Sequence, residues 1–314
     1  MSAAKKDDAM IAVDKDIAAA DLKAMKAQTG IFTPTLDENF YVPRETQRLL
    51  DIVHDMAREE APENILVVGP QGCGKTDLGL WFAAKKKMPT IMLNCAMIRE
   101  TKDWMGWRAV EEGSIFWQKS AFVRAIEKGG VCVIMDEFNR LHASLHNSIY
   151  PLLDHRRQSF IEELQETVAV GPGTIFFGTV NIGLSHVGTY VMDSSMEDRW
   201  GIRIDVGFLD AAKEADVITA KTGLDASHVK RLVQLANDVR KRAQGDRASF
   251  TRAVSTRQLL KTARLMKRFK EASVKMVTAL DYTITPFYSS EGGKESEQAQ
   301  LLQIVQGIFG ADAT

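Results

Sequence analysis

Gly69-x-x-x-x-Gly74-Lys75-Thr76 follows the apolar run Ile65-Leu-Val-Val68 and precedes the helix-like stretch Asp77-Leu-Gly-Leu-Trp-Phe-Ala-Ala84. In a strand–loop–helix setting of this kind, glycines let successive backbone N–H groups face a polyphosphate, and the helix adds the positive end of its dipole. Gly69, Gln71, Gly72, Cys73 and Gly74 are expected to wrap the phosphates of a nucleoside triphosphate, with Asp77 opening the helix beside them. The Lys75 ammonium is placed to reach the β and γ phosphates, and the Thr76 hydroxyl to ligate Mg²⁺.

About sixty residues further on, Val131-Cys-Val-Ile-Met135 ends in Asp136-Glu137. Two carboxylates at the end of a buried strand suit metal-assisted phosphoryl transfer, one holding Mg²⁺ through its water shell and one polarising an attacking water. Asp136 is expected on the metal side and Glu137 as the base. The run Thr174-Ile-Phe-Phe-Gly-Thr-Val180 ends in Asn181, whose amide can bond that water or the γ phosphate. Alone, Asn181 would read as a turn-former. Its meaning comes from the order of phosphate loop, acidic pair and polar strand end.

These residues need a sheet edge to gather them. Short apolar runs at 64–68, 89–94, 131–135, 174–180 and 202–206 read as five strands of a parallel sheet buried on both faces, the core of an α/β fold. Before it, an Ala-, Lys- and Asp-rich stretch over 9–28 reads as helix, giving a helical arm over 1–38. Beyond Thr33-Pro34-Thr35 and Asn39-Phe40-Tyr41-Val42-Pro43 a second helix carries Leu49, Leu50, Ile52, Val53 and Met56. After 210 the strand signals stop, and 211–222, 228–242, 255–270 and 295–309 read as helices. The α/β domain is therefore expected over 39–210 and a smaller all-α lid over 211–314.

Composition sets the outer limits. The chain of 314 residues is 45% hydrophobic and 26% charged, with 40 basic against 41 acidic residues, so no overall charge points to a nucleic-acid coat or membrane surface. Cys73, Cys95 and Cys132 form no C-x-x-C pair and read as buried free thiols rather than zinc ligands. No stretch approaches the ~18 apolar residues of a membrane span. The expected setting is the cytoplasm, with no membrane contact.

The ordered motifs resemble those of the AAA+ ATPases, P-loop NTPases in which an α/β core precedes a helical lid. Asp136-Glu-Phe-Asn-Arg140, Pro151-Leu-Leu-Asp-His-Arg-Arg157 and Glu197-Asp-Arg-Trp200 are similar to the MoxR group, with its CbbQ/NorQ and cobalt-chelatase (CobS-like) branches. The stretch Trp104-Met-Gly-Trp-Arg-Ala-Val-Glu-Glu-Gly-Ser-Ile-Phe-Trp117 is similar to the helix-2 insert of that clade, at about 101–118, and 158–170 to its hairpin before the sensor. The resemblance covers about 40–270. It departs from the group where Ile182 follows the sensor Asn in place of the common Pro, and where Asp-Arg-Trp replaces Asp-Arg-Phe.

The resemblance implies that Arg199 is an arginine finger reaching the neighbouring subunit's γ phosphate, with Arg156 and Arg157 competing for that role. It implies Arg257 as the lid arginine of sensor 2, and Tyr41 and Val42 as lining of the adenine pocket, simple packing being the other reading. Trp104, Trp107, Phe116 and Trp117 would face a pore or partner, or staple the insert locally. It further implies an Mg²⁺-dependent ATPase acting as a cyclic, hexameric homo-oligomer on a separate von Willebrand A domain protein, to activate a metalloenzyme or insert a metal.

A second class is a nucleic-acid-associated motor or McrB-like NTPase component. Its sequence support is limited to Lys85-Lys-Lys87 and the basic stretch 240–268, which also suit solvated helix faces. A kinase or a small GTPase switch is disfavoured, since no Asn-Lys-x-Asp guanine signature is present and the lid arginine and helical tail fit an assembly ATPase better.

Overall fold

The structure is a computed structural model that describes residues 30–59, 62–111, 113–162, 165–182, 194–244, 248–269 and 272–310. In chain order the first elements are β1 (Ile31–Phe32), α1 (Arg44–Arg58), β2 (Ile65–Gly69), α2 (Lys75–Lys86) and β3 (Thr90–Asn94). Next come α3 (Lys102–Met105), the hairpin of β4 (Gly106–Glu111) and β5 (Ser114–Lys119), α4 (Ala121–Lys128) and β6 (Cys132–Asp136). They are followed by α5 (His146–Leu153), the hairpin of β7 (Gln158–Ile161) and β8 (Glu166–Ala169), β9 (Ile175–Asn181), α6 (Ser194–Glu197) and β10 (Ile202–Asp205).

The main sheet has the order β1-β3-β6-β9-β2-β10, with every neighbouring pair parallel except β1 on β3. Alternate strand residues serve opposite layers, as the two-residue period of a strand requires. Ile65 and Val67 of β2, Ile134 of β6 and Phe177 of β9 pack with Leu50 and Val53 of α1 and Leu78 and Phe82 of α2. Leu66, Val68, Val133, Met135 and Phe176 face the other way, onto Phe122 and Ile126 of α4 and Ile149 and Leu152 of α5. That double burial explains why β2 reads as an unbroken apolar run.

Two elements depart from the sequence expectations. The sheet gains a sixth, antiparallel edge strand, because Ile31 and Phe32 pair with Ile91 and Thr90. Within the expected helical arm 1–38, the described residues 30–38 thus hold a strand and no helix, while the helix expected over 9–28 lies outside the described residues. The open edge of β3 offers backbone groups to pair, the two apolar residues suit a strand, and Pro34 ends it. The second departure is an additional C-terminal helix.

Beyond β10 the described elements are helical: α7 (Ala211–Thr222), α8 (Ala226–Arg242), α9 (Thr256–Arg268), α10 (Ala272–Thr283) and α11 (Glu297–Phe309). α10 is the unexpected one; Ser, Val and Thr within it weaken its helical signal, and contacts with the neighbouring helices through Ala279 and Leu280 sustain it. A buried ion pair ties this bundle together. Arg240 of α8 grips both Glu214 carboxylate oxygens at 2.7 and 2.8 Å, its Nε donates to the Val254 carbonyl, and Thr256 Oγ1 donates to Glu214 at 2.6 Å. Each buried charge is thus compensated within one α7–α8–α9 network.

Candidate active site

The phosphate loop occupies the turn from β2 into α2. Gly72 and Gly74 have φ of +74° and +96°, values a side chain would strain, and a Cβ on Gly74 would lie 3.1 Å from the Phe40 ring. A Cβ on Gly72 would come within 2.7 Å of the Ser255 Cβ, so the loop lies directly against the start of α9. Lys75 is buried and donates to the Gly69 and Pro70 carbonyls at 3.0 and 2.7 Å. Burial pulls its ammonium below the usual lysine range and Arg257 adds to this, while Asp136 and Glu137 act against it.

Parallel pairing brings the acidic pair to the same edge. Gly69 at the end of β2 stands opposite Asn181 of β9, and β9 lies beside β6, which ends in Asp136. The Thr76 hydroxyl donates to Asp136 Oδ1 at 2.7 Å, so the two residues expected at the metal are in direct contact. Thr179 also donates to Asp136 Oδ1 at 2.7 Å, and its oxygen accepts the Glu137 N–H at 3.0 Å. Nothing in the sequence singled out Thr179; it lies two residues before Asn181 and therefore on the same face of β9.

Glu137 has a φ of +54°, in the left-handed region, at the start of the turn Phe138–Arg140. That geometry costs on the order of 1–3 kcal/mol for a residue with a side chain. It brings the carboxylate against two partners, Asn181 Nδ2 donating to Oε1 at 3.2 Å and Arg140 pairing with Oε2 at 3.2 Å. The base candidate is therefore held through both oxygens, one by the Asn expected to act with it.

The remaining residues divide by position. Arg257 is exposed in the first turn of α9, with its Cβ 3.7 Å from where a Gly72 Cβ would stand. A capping box of Ser255 and Gln258 fixes that turn. Val42 is a core residue packed with α1 and α2, whereas the Tyr41 ring lies under the Lys213 ammonium of α7 at 4.9 Å. Phe40, which sequence reasoning passed over, is the aromatic residue that touches the phosphate loop. Gln71 and Asp77 are exposed, Asp77 lining a cavity of about 360 Å³ with Phe32, Phe40 and Trp81. Of the cysteines, Cys95 and Cys132 are buried and Cys73 half-buried, and burial raises all three thiols, that of Cys132 to about 12.

The arginines considered for a trans role lie at the other end of the sheet. Asn64 immediately precedes β2, and its side chain bonds the Arg199 carbonyl at 2.8 Å and an Arg157 nitrogen at 3.0 Å. Since β2 spans five residues, about 16 Å separates that edge from the phosphate loop. The Arg199 guanidinium sits over the Tyr150 ring at 4.4 Å and donates to the Ser195 carbonyl. Arg156 is taken up by Asp154 at 2.7 Å. Arg157 lies against the Phe176 ring, and loss of solvation lowers its pKa to about 10.

The insert aromatics also divide. Trp104 is buried and stacks on Phe122 at 5.8 Å, while Trp117 is half-buried under Lys119. Trp107, Val110, Ile115 and Phe116 are exposed on the hairpin. The register Ala109↔Phe116 and Val110↔Ile115 puts apolar side chains on both faces of that hairpin.

Comparison with known proteins is consistent with this arrangement. Residues 64–200 match the AAA domain of the dynein-related subfamily, and residues 214–305 the CbbQ/NirQ/NorQ C-terminal domain. BssE of Thauera aromatica, described as a candidate chaperone, is 29% identical over 212 residues, covering 67% of this chain and 73% of its own. The denitrification regulatory protein NirQ of Pseudomonas aeruginosa is 28% identical, covering 64% and 75%. NorQ of Paracoccus denitrificans is 26% identical, covering 74% and 83%. The RuvB Holliday junction branch migration motor of Thermotoga maritima shares the fold, with a TM-score of 0.50 at 13% identity over 91% of this chain and 76% of its own.

Proposed function

Because this chain belongs to the AAA+ P-loop NTPases of the MoxR group, on its CbbQ/NirQ/NorQ branch, we propose that it is an Mg²⁺-dependent ATPase that works as a closed ring on a partner protein. One observation carries the reading. Lys75, Thr76, Asp136, Glu137 and Asn181 share one edge of the sheet, whereas Arg199 is mounted at the opposite edge, where it cannot serve its own nucleotide. A head-to-tail arrangement brings one subunit's Arg199 to the next subunit's phosphates, and closure of such contacts gives a cyclic oligomer, for which we propose six subunits.

In this site Lys75 leaves the Gly69 and Pro70 carbonyls and takes the β and γ phosphates. Glu137, oriented by Asn181, accepts the proton of the attacking water as oxygen bonds to the γ phosphorus and the bridging bond to ADP breaks. The Thr76 hydroxyl and Asp136 carboxylate offer the hard oxygen donors that suit Mg²⁺, and the bound ion would offset phosphate charge. Arg199 from the neighbour and Arg257 from the lid stabilise the transferring phosphoryl group, and Tyr41, beneath Lys213 of α7, flanks the adenine.

The partner surface is the β4–β5 hairpin, whose exposed Trp107, Val110, Ile115 and Phe116 suit an apolar protein contact. We assign the partner to the von Willebrand A domain class, with metalloenzyme activation or metal insertion as the outcome. NirQ is named as a denitrification regulatory protein, which fits an action on another protein. Purified E137Q with ATP tests the reading. It should retain ATP, sediment as a ring and carry the partner with it; a nucleotide-loaded monomer that retains no protein would overturn it, and hydrolysis driven by DNA would favour a nucleic-acid motor.

A further inference from the structure

The mount of Arg199 is more specific than the fold requires. Asn64 is 3% exposed and every polar atom of its amide is engaged: Nδ2 donates to the Leu153 and Arg199 carbonyls at 2.6 and 2.8 Å, and Oδ1 accepts from Arg157 at 3.0 Å. Its backbone carbonyl also accepts the Ile202 N–H at 3.0 Å. One residue thus joins the end of α5, the turn entering the β7–β8 hairpin and the segment between α6 and β10. The chemistry is particular to asparagine, since two carbonyls need two donors and the guanidinium needs an acceptor. Aspartate would turn lone pairs toward both carbonyls.

The contacts around Asn64 converge on Arg199. α5, whose last carbonyl Asn64 holds, also supplies Tyr150, the ring beneath the Arg199 guanidinium. Arg157 is itself seated on Phe176 of β9, so the mount rests on the central strands rather than on a surface loop. Asn64 is joined directly to β2, the strand that ends in the phosphate loop. We propose that Asn64 is a positioning residue for hydrolysis in the adjacent subunit. It holds the Arg199 segment, with Arg157 as its brace, so that the arginine meets the neighbour's phosphates in register.

This inference rests on the ring reading above, and mixed assemblies separate the two. N64A and N64D should each lower kcat by roughly 10- to 100-fold, the effect of an ångström-scale misplacement, with KM for ATP and ring size retained. Each variant is then co-assembled with E137Q subunits, which hydrolyse nothing themselves but present an intact Arg199. R199A with E137Q is the reference mixture. Rescue of R199A and of N64A by E137Q, above the sum of the separate rates, is the expected result.

Rescue of R199A without rescue of N64A would overturn the role of Asn64 while leaving the ring reading intact. No rescue of R199A would remove the ring reading itself. Should N64A fail to assemble, N64S, which keeps one donor, goes through the same two mixtures and the same outcomes decide.

Discussion

At the residue scale the site is a set of side chains bonded to one another. Lys75 bonds the loop carbonyls, Thr76 and Thr179 converge on Asp136, and Glu137 lies between Asn181 and Arg140. Two predictions follow from these bonds. T179V keeps the side-chain shape but removes the bridge between Asp136 and the Glu137 N–H. It should cost about 1–3 kcal/mol of stability for the stranded groups, and lower kcat by roughly 10-fold through a displaced carboxylate pair. Denaturant melts and single-turnover hydrolysis read the two effects.

The second prediction concerns pH. Burial lowers the Lys75 pKa, and an anionic phosphate beside the ammonium raises it again. The free state then gives up its proton first as pH rises while the complex keeps it, so affinity is complete below the free-state pKa and falls as pH passes through it. ATP binding titrated toward alkaline pH should show that decline in the wild type and not in K75R. A flat wild-type profile would contradict it. The loop and acidic pair were legible in the sequence because each is a local pattern at the end of an apolar run. Thr179 was not, since a threonine inside a strand is an ordinary β-former.

At the element scale two insertions and one edge strand distinguish this sheet. The β4–β5 insert was visible as a cluster of aromatic residues, but its sequence left open which of them support the fold. Trp104 stacks inside the core and Trp107 is 52% exposed. W104A should therefore destabilise by about 3–5 kcal/mol, and W107A by less than ~0.5 kcal/mol. Urea unfolding of both variants distinguishes these outcomes, and equal costs would refute the division of roles. β1 stayed hidden because a two-residue strand has too few positions to show a period, and α10 because its composition gives a weak helix signal.

At the scale of the whole molecule the candidate residues divide between the two ends of the sheet's strands. The residues proposed for the nucleotide lie at the ends of β2, β6 and β9, and Arg199 lies beside the start of β2, held by Asn64. The family resemblance put Arg199 first, with Arg156 and Arg157 competing, but said nothing of how the three are placed in space. What separates them depends on contacts between residues 93 and 135 positions apart, which no local pattern encodes. Arg157 is built into the mount, Arg156 pairs with Asp154 and Arg199 lies over Tyr150; we assign Arg199 to the neighbouring site from its place in the Glu197-Asp-Arg-Trp200 motif. The most direct test is the hydrolysis rate of rings assembled from R199A and E137Q subunits together. A mixture faster than the sum of its two inactive components is the predicted result, and a mixture no faster than that sum would contradict a site shared between subunits.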